Sequence, residues 1–312
     1  MKRFFARCMP TFGVLPTAGH AAAVDAAVSA GTAPTCYVTV EGDRIAYRKI
    51  GQGPTIILAN RLRGTLDTWD PLFLDGLASR YTVVTVDYPG IGYSTGKLPD
   101  SMASASKFID EFANAIEADR FVILGWSWGG LVAQTYLLDH AQRVTHAILI
   151  GTNPPGHNDI PLQQVFLDRA FKPVNDLADE EVLFFEPASQ ASRAEAKASH
   201  ERIYARADVT SKIPSRPDEL APYFTAAEGF HKDEEHRRDR MGQVNVPILV
   251  IAGDHDTSTA GQNWFPLIGN MRQAQFIFFS EAGHAPQHQH PELISDYIHD
   301  FLVRTVTKLS SN

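Results

Sequence analysis

Residues 121–138, FVILGWSWGGLVAQTYLL, run from a β-type apolar stretch straight into helical spacing, with one serine at the junction. The junction fits G-x-S-x-G, its fixed points being Gly125, Ser127 and Gly129. A strand that turns into a helix within so few residues forces unusual backbone angles on the serine. It also leaves no room for a Cβ at the flanking glycines. The hydroxyl is then held at the carboxyl end of a strand, beside the positive end of a helix. A chance Gly/Ser turn is the competing reading, and the strand before and helix after weigh against it.

The surrounding chain supplies the sheet that such a turn needs. CYVTV and RIAYRKIG read as an antiparallel pair around the turn EGD. TIILAN, YTVVTVDY, FVILG and THAILIGT follow as short β-branched runs typical of buried parallel strands. DPLFLDGLASR, SMASASKFIDEFANAIEA and LVAQTYLLDH separate them with helical spacing. This rhythm predicts an α/β fold, a doubly wound and mostly parallel sheet. It stops after GTNPPG. Residues 156–240 hold no apolar β run and read as helices and loops, and then VPILVIAGDHD and QAQFIFFSEAGH resume the strands. The expected organisation is a core of residues 36–155 and 241–312 with an inserted helical lid at 156–240.

Length and composition fit this plan. A chain of 312 residues, 44% hydrophobic and 21% charged, can bury one large core. A formal net charge of −8 argues against nucleic acid or an anionic membrane as partner. No apolar run is long enough to span a membrane. Two cysteines, Cys8 and Cys36, make no disulfide framework. Residues 1–35 have a basic start and an Ala-rich end, yet Arg7, Pro10, Pro16 and His20 interrupt any signal-type apolar centre. A disordered leader on a cytoplasmic protein is the simpler expectation, with export as its alternative.

A serine hydroxyl attacks a carbonyl only if a base takes its proton. Histidine is the usual base, held in the right tautomer by a carboxylate. Beyond Ser127 the chain offers GDHD at residues 253–256 and SEAGHAP with His284. The order Ser127, Asp256, His284 is one in which such triads occur, and the backbone N–H of Trp128 is the expected first oxyanion donor.

With VDYPGIGYS, GWSWGG, VPILVIAGDHD and EAGHAPQHQHPE in this order, residues 36–305 resemble the lid-bearing α/β-hydrolases. The resemblance implies Asp256 as the acid through its G-x-x-D pattern, leaving Asp254 as a turn residue. The family's other acid position holds Asn153. Where the family shows His-Gly and an apolar residue, this chain has Asn60, Arg61 and Leu62, so the second oxyanion donor falls to the Leu62 backbone. Salt bridging at the loop surface is the simpler reading of Arg61 and Arg63. The sharper one is a guanidinium facing the pocket to bind an anionic substrate group, Arg61 being the candidate. Trp126 is a candidate pocket wall. Phe166, Phe171, Phe184, Phe185, Tyr204, Tyr223 and Phe224 are candidate lid aromatics, although core packing suits any one of them.

The expected activity is a serine hydrolase of carboxylic esters or lactones, acting on a small molecule without cofactor. His284, His288 and His290 lack the companions of a metal site. GIGYSTGK lacks P-loop spacing. HKDEEHRRDR (231–240) reads as a solvated charged stretch, and Asp87 as a structural tie below the nucleophile. Related chemistries stay open: a prolyl aminopeptidase using Glu186 or Glu195, a perhydrolase, or a carbon–carbon bond hydrolase. A non-catalytic ligand binder is the answer of a different class.

Overall fold

The computed structural model describes residues 28–309. Of the segment assigned to a leader, residues 1–27 lie outside the described residues. Residues 28–35 do not hang free. Ala30 and Ala33 are buried, the Ala30 N–H donates to Asp75 at 2.7 Å, and Arg206 donates to the Ala33 carbonyl at 2.9 Å.

Eight strands form one sheet: β1 (Cys36–Val40), β2 (Asp43–Ile50), β3 (Thr55–Ala59), β4 (Thr82–Val86), β5 (Phe121–Trp126), β6 (Val144–Ile150), β7 (Ile248–Gly253) and β8 (Ala274–Phe279). Their spatial order is β1-β2-β4-β3-β5-β6-β7-β8. Only the pairings of β1 with β2 and β2 with β4 are antiparallel; the rest are parallel. The β-branched runs follow from burial on both faces. On β5, Phe121 and Ile123 join one apolar cluster, while Val122, Leu124 and Trp126 join the other. That split is the period-2 alternation of a strand with a core on each side.

Helices α1 (Pro71–Ala78), α2 (Met102–Ala115) and α3 (Trp128–Asp139) follow β3, β4 and β5. The insertion between β6 and β7 contains α4 (Gln164–Ala170), α5 (Leu177–Phe184), α6 (Gln190–Ile203), α7 (Val209–Lys212), α8 (Pro217–Lys232) and α9 (Arg237–Met241), and no strand. The chain closes with α10 (Pro286–Gln289) and α11 (Pro291–Leu309). Phe108 and Phe112 of α2 and Leu131 of α3 pack on one side of the sheet. Phe73 of α1 and Ile294 and Ile298 of α11 pack on the other.

The inserted block is fastened to the core. Leu183 and Phe184 belong to one core cluster, Tyr223 and Phe230 to the other. The stretch 231–240, expected to be solvated, is part of that fastening. Asp233 accepts from the Arg237 and Arg238 backbone at 2.6 and 3.1 Å. Arg238 donates to the Pro155 carbonyl at 2.9 Å, and Arg240 to the Leu138 carbonyl at 2.9 Å. Charge density in the sequence concealed side chains spent on backbone carbonyls.

Candidate active site

Ser127 stands between β5 and α3 with φ 57° and ψ −121°. A left-handed φ on a side-chain-bearing residue costs about 1–2 kcal/mol. The neighbours hold it there: the Ser127 N–H donates to the Ile150 carbonyl at 3.0 Å, and its carbonyl accepts from Gly130 at 2.8 Å. The flanking glycines are obligatory for contact reasons. A Cβ on Gly125 would sit 2.2 Å from the Gly129 carbonyl oxygen, and one on Gly129 would sit 2.1 Å from that of Ala59. That close approach seats the start of α3 against the end of β3, beside the loop that carries Leu62.

Across the sheet edge, His284 and Asp256 meet. Nδ1 of His284 lies 2.8 Å from Oδ2 of Asp256, with both side chains essentially buried. The carboxylate is held at every oxygen. Oδ1 accepts from the Ser258 and Thr259 N–H groups, each at 2.8 Å, and Oδ2 accepts from the Thr259 hydroxyl at 2.8 Å. Asp254 points elsewhere: it is exposed, contacts His255 at 2.7 Å and accepts from the Ala282 N–H at 3.3 Å. Thr259 escaped the sequence reading, though an aspartate followed by Thr-Ser-Thr is an Asx-turn signal.

Ser127 and His284 share a small cavity of about 20 Å³ whose walls include Arg61, Leu62, Phe166, Leu183 and Phe184. The serine hydroxyl makes no hydrogen bond among the described residues; catalytic contacts of this kind often tighten only around substrate. The backbone N–H groups of Trp128 and Leu62 likewise donate to no acceptor among the described residues, which leaves both available to an oxyanion. Asn60 has a structural task, donating to the Val86 carbonyl and accepting from the Trp69 indole, each at 2.7 Å.

Two side chains depart from expectation, and a third, Arg61, takes the pocket-facing place of its sharper reading. Trp126 does not line the cavity. Its indole N–H donates to the His284 carbonyl at 2.9 Å, and its rings pack on Trp69, Phe184 and His288. A β5 side chain at this position points into the core layer, so Trp126 supports the histidine loop. Neither arginine forms a surface ion pair. Arg63 is buried and donates to the carbonyls of Pro214, Ala170, Lys172 and Pro173 at 2.7–2.9 Å. Arg61 lies over the rings of Trp126 and Phe184, 5.1 and 4.6 Å from their centroids, and faces the cavity. Burial lowers its pKa to about 10, so it stays charged at neutral pH.

Of the proposed lid aromatics, Phe166 and Phe184 reach the cavity, and Phe166 meets the His284 ring edge-on at 5.7 Å. Phe185 and Tyr223 are buried, and Phe171 and Phe224 pair at the surface. The other histidines are engaged separately. His288 accepts from the Asp70 N–H at 3.3 Å, and His290 stacks on Phe279. Asp87 is fully buried and accepts from Leu66 and Tyr93 at 2.7 and 2.9 Å. Sequence reading missed one polar network outright. Glu180 of α5 accepts from the Tyr204 hydroxyl at 2.7 Å and contacts His200 Nδ1 at 2.8 Å, beside Arg61.

Known proteins place this arrangement in context. Over 126 residues the chain is 36% identical to the dihydrolipoyllysine-residue acetyltransferase component of an acetoin cleaving system from Cupriavidus necator. That match covers 39% of this chain and only 33% of that protein. A pimeloyl-[acyl-carrier protein] methyl ester esterase from Aeromonas hydrophila subsp. hydrophila is 26% identical over 83% of this chain and 99% of its own length. An alpha/beta hydrolase fold protein from Chitinophaga pinensis superposes with a TM-score of 0.76 at 27% identity, over 88% of this chain and 98% of that one. The family model for the alpha/beta hydrolase fold matches residues 54–291, and this chain belongs to that family.

Proposed function

We propose that this chain is a serine hydrolase of carboxylic esters, lactones included, working through an acyl-enzyme on Ser127. The observation that carries the reading is the shared cavity: a strained serine at a helix start, with a buried His284–Asp256 pair in the opposing wall. Ser127 Oγ attacks the carbonyl carbon while His284 Nε2 takes its proton. The carbonyl oxygen becomes an oxyanion met by the N–H groups of Trp128 and Leu62. Asp256 keeps the proton on Nδ1 and stabilises the imidazolium. His284 then protonates the leaving alkoxide, and water repeats the sequence on the acyl-enzyme to release the acid.

The other readings find less support. Glu186 is tied to the Ala188 N–H at 2.7 Å, and neither it nor Glu195 is in the cavity wall, where a peptide amino terminus would need a carboxylate. A pure binder has no need of a carboxylate with three donors behind a buried histidine. The test is Ser127→Ala with 4-nitrophenyl esters and a fluorophosphonate probe. Turnover should fall by about 10⁶-fold, as loss of the nucleophile does in a serine protease, and labelling should vanish. Retention of turnover within tenfold of the parent would refute the assignment.

A further inference from the structure

Two further small cavities, of about 20 and 10 Å³, share Arg61 and Phe184 with the one at Ser127. Arg61 lines all three. Its own polar contacts are sparse: Nη1 donates to the Leu62 carbonyl at 2.7 Å, and the buried Nε has no partner. Guanidinium groups in low-dielectric surroundings normally answer to a carboxylate or to several carbonyls. Arg63, one residue pair away, shows the second solution with its four carbonyls. Arg61 shows neither.

The nearby charges leave a surplus. Glu180 is the one carboxylate in the walls of these cavities among the described residues. Both its oxygens are already taken, by Tyr204 and His200. Two guanidinium charges, Arg61 and Arg63, therefore face one carboxylate. The rings of Phe184 and Trp126 lie against the Arg61 guanidinium, which restricts its freedom before any ligand arrives. Leu62, the expected oxyanion donor, is the next residue along the chain, and Arg61, Leu62 and Ser127 line one cavity.

We propose that Arg61 is a carboxylate-recognition residue, and that the ester or lactone accepted here carries a carboxylate on its acyl side. The inference rests on the serine hydrolase reading. A substrate carboxylate would supply the acceptor that Nε lacks and neutralise the surplus charge. A neutral ester of equal length would leave both uncompensated.

The experiment compares 4-nitrophenyl hemiglutarate with 4-nitrophenyl pentanoate, which share acyl length and leaving group. The parent should prefer the hemiester at least tenfold in kcat/KM, and Arg61→Gln should lower that ratio by about 100-fold, mostly through KM. Arg61→Lys, which keeps the charge without the planar fork, should fall between; if Arg61→Gln does not fold, this variant decides. An equal ratio in parent and variant overturns the proposal. A second readout needs no turnover: glutarate, but not the neutral pentanamide, should raise the Tm of Ser127→Ala, and the rise should disappear in Ser127→Ala/Arg61→Gln. If neither ester is cleaved and Ser127 takes no fluorophosphonate, the hydrolase reading falls while the glutarate shift still reports on Arg61. Absence of that shift overturns the anion site whatever the catalytic result.

Discussion

At the scale of single residues, the choice between Asp254 and Asp256 rests on which carboxylate reaches the imidazole of His284. Only Asp256 does, and its surroundings foretell what an amide would do there. The N–H groups of Ser258 and Thr259 both point at Oδ1. In Asp256→Asn they would hold the amide oxygen on that side and turn the amide nitrogen toward His284. Nδ1 would then face a donor and give up its proton, and Nε2 would carry the hydrogen that blocks it as a base. In a serine protease the corresponding change cost about 10⁴-fold in kcat. A loss of that order is expected for Asp256→Asn, against less than about tenfold for Asp254→Asn, measured as ester kcat on folded protein. The reverse ranking would move the acid to Asp254.

At the scale of elements, the sheet was legible because buried parallel strands leave an unmistakable run of β-branched residues. TVVTV became β4 and THAILI part of β6 for that reason. The candidates Ser127, Asp256 and His284 were legible because each follows a recognisable strand; the structure pairs His284 with Asp256 and lines one cavity with Ser127 and His284. The polar ties of the helical block were not legible. Glu180, His200 and Tyr204 are scattered over α5, α6 and the α6 C-cap, where Glu180 and His200 read as ordinary surface residues and Tyr204 only as a lid aromatic. Arg63 was misread for a related reason: a charge in a loop says nothing of four carbonyls arriving from residues 170–173 and 214. Those carbonyls give Arg63 a measurable task. Arg63→Met should strand them without a donor and cost about 2–4 kcal/mol in urea unfolding. Amide exchange should rise in α4 and the 171–176 loop before it rises in β5. Uniform exchange across the chain would show that Arg63 does not fasten the block.

For the molecule as a whole, buried ionisable groups outside the candidate catalytic set shape the dependence of stability on pH. Burial lowers the pKa of His146 and of His288 from 6.5 to about 4. Nε2 of His146 meets the Thr305 hydroxyl at 2.8 Å, tying β6 to α11, and its buried Nδ1 has no partner to receive a proton's charge. His288 ties α10 to the cap of α1 through Asp70. Between pH 6.5 and 4 the unfolded chain binds these two protons and the folded chain does not, so stability falls as pH falls. Asp87 opposes them. Burial raises its pKa from 3.8 to about 7, so in the same window the folded chain holds a proton that the unfolded chain has released. Taken by themselves, these three groups contribute two protons against one, a slope of about 1.4 kcal/mol per pH unit with stability declining toward acid. Removing one histidine should nearly flatten it. His146→Gln can keep a bond to Thr305 without titrating, so urea unfolding of this variant between pH 6.5 and 4.5 should lose about 1.4 kcal/mol per unit of the parent's slope. An unchanged slope would mean that His146 takes up its proton in the folded state, and that its place between β6 and α11 is wetter than its burial indicates.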